Sequence, residues 1–396
     1  MRNINNENIK ISTVLSFILI PLSGLATDIY LPSFPEMAKE FNVTNGSIQD
    51  TMVCFLLSYG LAQLFVGSII DSLGRYRLCL AALMVFTLSN FAIIAANDIY
   101  LVYVMRILQG ISTAFIVVGK RAFFVDVYTG DKQKHYTGMI TIVWATAPIM
   151  APFLGGYLQE NFGWTANFYL LGIYGGVMVC LEYFFGGESL KNPQPFAIIP
   201  ALKVYEKLIA SKDFICGISV LGVSYSMVMV FSMSAPFIVE QTFNLSSLST
   251  GYCALLSGTA LLIGGLVGKF LKKGTLFEKL FIANIFQFGL IITMIATAGF
   301  HKNLIMLMFF VMCVHILGGF IYNRFFTYCL TRFPENAGMA SGLTSGGSYL
   351  ITAVISSITL RYISVTGQRT LGVSYILLTV IMIAIITCFR RSFISR

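Results

Sequence analysis

Apolar runs, each bounded by charged or turn-forming positions, follow one another along the whole chain. They fall at 12–32, 50–70, 78–96, 99–119, 137–158 and 168–187, then at 214–237, 249–270, 280–299, 304–323, 338–360 and 371–389. A helix needs roughly 20 apolar residues to cross about 30 Å of hydrocarbon, and these runs have that length. The pattern predicts an all-α transmembrane protein of twelve spans. The opening decapeptide, MRNINNENIK, lacks a cleavage site and leads into a full-length apolar run. It reads as a lead-in to the first span and not as a signal peptide.

The longest polar stretch, GGESLKNPQPFAIIPALKVYEKLIASKD, carries prolines and falls between the sixth and seventh runs. It divides the chain into two six-helix halves, 1–186 and 214–396, joined by a linker at 187–213. Internal repeats of this kind are a transporter architecture, with the substrate site between the halves. A carrier is therefore the leading expectation before any family is considered.

Composition agrees. The chain has 396 residues, of which 57% are hydrophobic and 11% charged, and its mean hydropathy is +0.80. Soluble domains carry about twice that charged fraction. A net charge of +9 would suit a nucleic-acid partner, but the positions of the charges argue for topology instead. With a cytoplasmic N-terminus, 21 of the 26 basic residues fall in cytoplasmic segments. Only Lys39, Lys302, Arg361 and Arg369 fall outside, and Arg106 lies within a span. Lys and Arg bias sets orientation, so both termini are expected in the cytoplasm. The eight cysteines include no CxxC pair, so neither a disulfide framework nor a metal site is indicated.

Small residues allow close helix approach in lipid. Gly338, Gly342, Gly346 and Gly347 on the eleventh span, and Gly264 and Gly268 on the eighth, mark packing faces. Pro148 and Pro152, followed by Gly155 and Gly156, make the fifth span either a hinge or an ordinary kinked helix, since each proline removes a backbone donor.

Ionisable groups within spans are costly and functional by default. Asp28 lies about 16 residues into the first span, roughly 24 Å from its inner end at 1.5 Å per residue. Arg106 lies about seven residues into the fourth, which enters from outside, so roughly 10 Å below the outer face. The two share a depth and could meet. A carboxyl balanced between burial and a guanidinium can load a proton on one side and release it on the other. Asp28 could equally be an interfacial aspartate capping TDIYLPSFP. His315 is either a titratable imidazole or a satisfied packing residue. Tyr59, Gln63, Gln109, Trp144, Tyr225 and Asn323 complete the polar and aromatic candidates for a substrate cavity. Glu182, near the inner end of the sixth span, is expected to snorkel.

Motifs then add a resemblance. TDIYLPSFPEM (27–37), GSIIDSLGRYR (67–77), RILQGISTAF (106–115), APIMAPFLGGYL (147–158), KRAFFVDVYTG (120–130) and FPENAGMASGL (333–343) resemble the major facilitator superfamily, and within it the Bcr/CflA-type drug:proton antiporters. The resemblance implies a twelve-helix major facilitator fold. It implies a gating loop motif at Gly67, Asp71, Gly74 and Arg75, although Ser72 stands where the motif has a basic residue. It ties Arg106 to proton movement and makes Pro148, Pro152, Gly155 and Gly156 an antiporter hinge. Ile20 stands where some relatives carry a second acid, leaving coupling to Asp28 or to another group.

The expected function is proton-coupled efflux of a drug-like small molecule across the cytoplasmic (inner) membrane, by alternating access. The alternatives are export of an endogenous metabolite such as a siderophore, or proton-coupled uptake. The expected partners are the substrate, protons and the bilayer, with no cofactor beyond the proton gradient and a monomeric state. An enzyme is not expected: no HExxH or GxSxG occurs, and His135, His301 and His315 are too scattered to bind a metal.

Overall fold

The computed structural model describes residues 4, 6–191, 193, 198–270, 275–299 and 303–394, without the side chains of 141, 142, 144, 145, 198–201, 269, 270 and 389–394. Trp144 among the cavity candidates thus lies outside the described side chains, as do Arg2, Lys269, Lys272, Lys273, Lys302, Arg390, Arg391 and Arg396 among the charges that set topology. Among the described residues the regular elements are helices, joined by short turns and irregular segments, with no strand.

The expected first span is built from three helices in line: α1 (Ile9–Leu19), α2 (Leu22–Asp28) and α3 (Phe34–Glu40). The interruptions fall at Pro21 and at Pro32 and Pro35, each of which lacks the N–H that would continue the ladder. Together they form one 32-residue apolar element, Ile9–Glu40. Asp28 therefore does not sit near the end of the span. The turns after it are preceded by Tyr30 and Ser33, which make no side-chain cap bond, so the capping role is not realised.

The chain continues through α4 (Asn45–Leu73), α5 (Arg75–Ile94), α6 (Ile99–Val127), α7 (Gly130–Phe162) and α8 (Thr165–Phe185). A short helix, α9 (Ile198–Ile209), occupies the expected linker. Then follow α10 (Lys212–Phe237), extended by a π turn to Thr242, α11 (Ser247–Phe270), α12 (Leu276–Thr297), α13 (Leu304–Arg332), α14 (Ala337–Tyr362) and α15 (Gln368–Ile394). Among the described residues, eleven elements are long and apolar enough to cross a membrane. The 33-residue α7 occupies the place of the fifth predicted span and is not among those eleven.

Two compact units emerge, Met1–Ile198 and Ile199–Arg396, and the division falls inside the 187–213 segment. In the first unit, glycines set the closest crossings. A Cβ on Gly155 of α7 would overlap the carbonyl of Ile29, and one on Gly24 of α2 would lie 2.8 Å from Ala147 Cβ. A Cβ on Gly110 of α6 would overlap Ser58 of α4. In the second unit, Gly264 of α11 and Gly319 of α13 each abut the other helix's backbone, at Ile316 and Leu261. The eighth-span packing face is thus real, and its counterpart is Gly319. On the eleventh span, Gly347 meets Ile218 of α10, whereas Gly338 has no neighbour within 4 Å.

Candidate functional site

Arg106 is completely buried. One turn later Gly110 brings α6 against the backbone of Phe55–Tyr59, which seats the guanidinium over the Phe55 ring at 4.4 Å. The Tyr30 ring lies 4.4 Å away. Tyr30 is itself anchored, its hydroxyl 3.0 Å from Thr51, which donates to the Ile48 carbonyl at 2.6 Å. Arg106 Nη1 donates to the Ala26 carbonyl at 3.0 Å and to Gln109 Oε1 at 2.7 Å. Its Nε and Nη2 have no hydrogen-bond partner. A guanidinium keeps its charge in any protein environment, so this cation is held by two ring faces, one carbonyl and one amide. Desolvated cation–π contacts are worth about 2 kcal/mol each.

Asp28 is also buried, at 4% exposure. It lies two residues after Ala26 on α2, so Arg106 does reach the helix that carries it. The contact is to the backbone: among the described residues no ion pair joins the two side chains. Helix α7 packs on both sides of Asp28, through Ala147 and Pro148 against Gly24 and through Gly155 against Ile29. Pro148 and Pro152 lie inside α7, with Gly156 next to the crossing point. Asn167 of α8 completes the contact, donating to Ser33 Oγ at 2.8 Å. The expected coupling pair and the expected hinge are therefore neighbours.

The other candidates distribute differently. Tyr59 stacks on Phe55 at 5.8 Å, behind the Arg106 seat. Gln63, one turn further along α4, is buried with Nε2 unpartnered, as is Nε2 of Gln109. Tyr225, His315 and Asn323 belong to the second unit. Tyr225 joins Tyr322 at 5.9 Å and Tyr349 at 6.0 Å in an aromatic cluster from α10, α13 and α14. His315 has both nitrogens engaged, Nδ1 with the Ser257 hydroxyl at 2.8 Å and Nε2 with the Tyr375 hydroxyl at 3.0 Å, and its ring abuts Phe231. It is a satisfied packing residue tying α11, α13 and α15. Asn323 is half-buried on α13 beside Gly265.

At the α4–α5 junction, Gly74 has φ +95°, a conformation open to glycine. It turns the chain so that Arg75 pairs with Asp71 at 2.9 Å and with Asp126 from the end of α6. Ser72, at the departing position, donates to the Ser68 carbonyl at 3.0 Å, and the charge network forms without a basic residue there. Gly67 has no neighbour within 4 Å of a built Cβ. Glu182 does not snorkel: it is buried and pairs with buried Lys120 at 2.5 Å. In the second unit, Asp213 accepts from Arg332 at 2.6 Å, Tyr328 at 2.8 Å and Ser211 at 2.8 Å.

Sequence reasoning missed the two rings that hold Arg106, the Asp126 partner and the Lys120–Glu182 pair. Only the last left a trace, as a basic and an acidic residue both expected near the inner ends of spans. Among the described residues no cluster suited to a metal ion occurs.

Residues 16–357 match the Major Facilitator Superfamily. The chain is 26% identical to an uncharacterized MFS-type transporter, YdgK, of Bacillus subtilis, over 88% of each chain. It is 26% identical to a bicyclomycin resistance protein homolog of Haemophilus influenzae, over 86% of each. With multidrug resistance protein D of Escherichia coli it shares 24% identity, over 98% of this chain and 96% of that one. A solved D-xylose-proton symporter shares the fold with a TM-score of 0.72 at 11% identity, covering 94% of this chain and 97% of that one. The matched residues, the relatives and the helical architecture place this chain in the Major Facilitator Superfamily, as a multi-pass membrane transporter and not an enzyme.

Proposed function

We propose that the protein is a proton-coupled exporter of a drug-like small molecule, working by alternating access in the manner of the Bcr/CflA-type antiporters. One observation carries the reading: a fully buried guanidinium is fastened to α2 two residues from a buried carboxyl. A charge kept so deep at such cost is functional by default. Asp28 takes up a proton from one side and releases it to the other, and protonation and substrate favour opposite orientations, a population shift by differential binding. The Gly67–Asp71–Gly74–Arg75 motif acts as the cytoplasmic gate and α7 as the hinge. Relatives named for multidrug and bicyclomycin resistance support export of foreign compounds. The bias of basic residues supports a cytoplasmic membrane location with both termini inside, and a monomer suffices for the cycle.

A second reading, export of an anionic metabolite such as a siderophore, is favoured by the two unpartnered nitrogens of Arg106. A drug panel on cells making the protein separates the two. Gained tolerance supports drug export, whereas no gain, with loss of a secreted metabolite on deletion, supports the second reading. Coupling is tested in proteoliposomes with an imposed pH gradient and a compound from that panel. Asp28→Asn is expected to keep downhill movement and lose uphill movement. Undiminished uphill movement by this variant would show that Asp28 is not the coupling group.

A further inference from the structure

The segment that follows α8 does not leave the first unit as a loose linker. Glu188 and Ser189 are buried, at 6% and 7% exposure. Glu188 Oε1 accepts the backbone N–H of Arg75 at 3.1 Å and Oε2 that of Tyr76 at 3.1 Å. Those are the first amides of α5, left without partners by helix geometry, and Gly74 before them supplies no side-chain cap. The carboxylate also meets the positive end of the helix dipole. Its Oε1 accepts from its own segment at Leu190, 3.0 Å away. Ser189 Oγ donates at 2.9 Å to Asp126 Oδ2, the atom that also holds Arg75. Upstream, the Glu182 carbonyl accepts from Tyr76 and from Gly186 N–H, while its carboxylate holds Lys120.

We infer that residues 186–190 form a strap that sets the loop motif, with Glu188 as its positioning residue: it fixes the α5 start from which the Arg75 side chain reaches both aspartates. The inference rests on the reading of this motif as the cytoplasmic gate. The segment also begins the stretch of chain that leads from the first unit toward the second, so the motif and the start of that connector are tied by the same carboxylate. Charge-assisted bonds of this kind are each worth enough to shift an equilibrium by about tenfold when lost.

The test needs no substrate. Purified protein is reconstituted in phosphatidylethanolamine–phosphatidylglycerol vesicles holding trapped pyranine, and proton leak under an imposed pH gradient is measured. Glu188→Ala is expected to raise the leak about tenfold, Arg75→Ala to raise it similarly, and the double variant to leak no more than the larger single. Glu188→Gln, which keeps the shape but not the charge, is expected to fall between, and it stands in if the alanine variant does not fold. Melting temperature, read from exposure of the buried cysteines, is expected to fall by a few degrees in these variants, because the lost bonds also hold the fold; an equal leak from His315→Leu, which lowers melting from within the second unit and away from the motif, overturns the inference. A leak from Arg75→Ala with none from Glu188→Ala or Glu188→Gln overturns the strap and keeps the gate. No leak from either site overturns the gate reading and the strap with it. A leak from Glu188→Ala alone shows that the carboxylate does not act through the motif, and also overturns the inference.

Discussion

The crossing of α7 over α2 offers a quantitative test of the site. A Cβ on Gly155 would overlap the carbonyl of Ile29, a backbone atom with no rotamer to yield. Restoring ordinary contact requires the helices to separate by about 1 Å or more, since carbon contacts sit near 3.5 Å. Overpacking of this kind costs about 1–3 kcal/mol, offset by about 1 kcal/mol because alanine is the better helix former. Taking the upper part of the range, Gly155→Ala should lose about 2 kcal/mol, or about 4–8 °C in melting temperature for a unit of this size. Gly67 provides the opposite control: nothing lies within 4 Å of its Cβ and it is inside α4, so Gly67→Ala should gain about 0.5–1 kcal/mol. The assay follows thiol labelling on heating, because Cys79, Cys253 and Cys329 are buried and free. Gly155→Ala melting at or above the wild-type temperature would refute the close crossing and, with it, the placement of the hinge beside Asp28.

Two further outcomes follow from the charges. Arg106→Lys retains the charge but not the planar fork or its stacking between two rings; transport by this variant should fall at least about tenfold, and wild-type rates would show that the ring seat is dispensable. Lys120→Met should destabilise by about 3–5 kcal/mol by leaving Glu182 buried and unpaired, while Lys120→Met with Glu182→Leu should recover most of that loss; equal melting of the single and double variants would argue against the pair.

The apolar runs were enough to place the helical elements in order, because a lipid environment sets a minimum length for a crossing helix and leaves little choice of secondary structure. The two embedded charges were legible for the same reason: Asp28 and Arg106 are ionisable residues within otherwise uncharged spans. The first apolar run was placed at 12–32, whereas the chain resumes its helix beyond Pro32 and continues to Glu40. What held Arg106 could not be read at all. Its partners are two rings, a main-chain carbonyl and an amide, and in sequence a main-chain acceptor looks the same at every position. For His315 the sequence left a titratable imidazole and a satisfied packing residue both open, and only Ser257 and Tyr375, each about 60 residues away, on its two nitrogens decide for the second. Glu188 is more than 100 residues from the amides it caps. Pattern along the chain thus determined the spans and their embedded charges. Which of those charges are paired, and by what, was decided only when helix packing brought distant segments within hydrogen-bonding distance, since that contact depends on crossing geometry that no local pattern encodes.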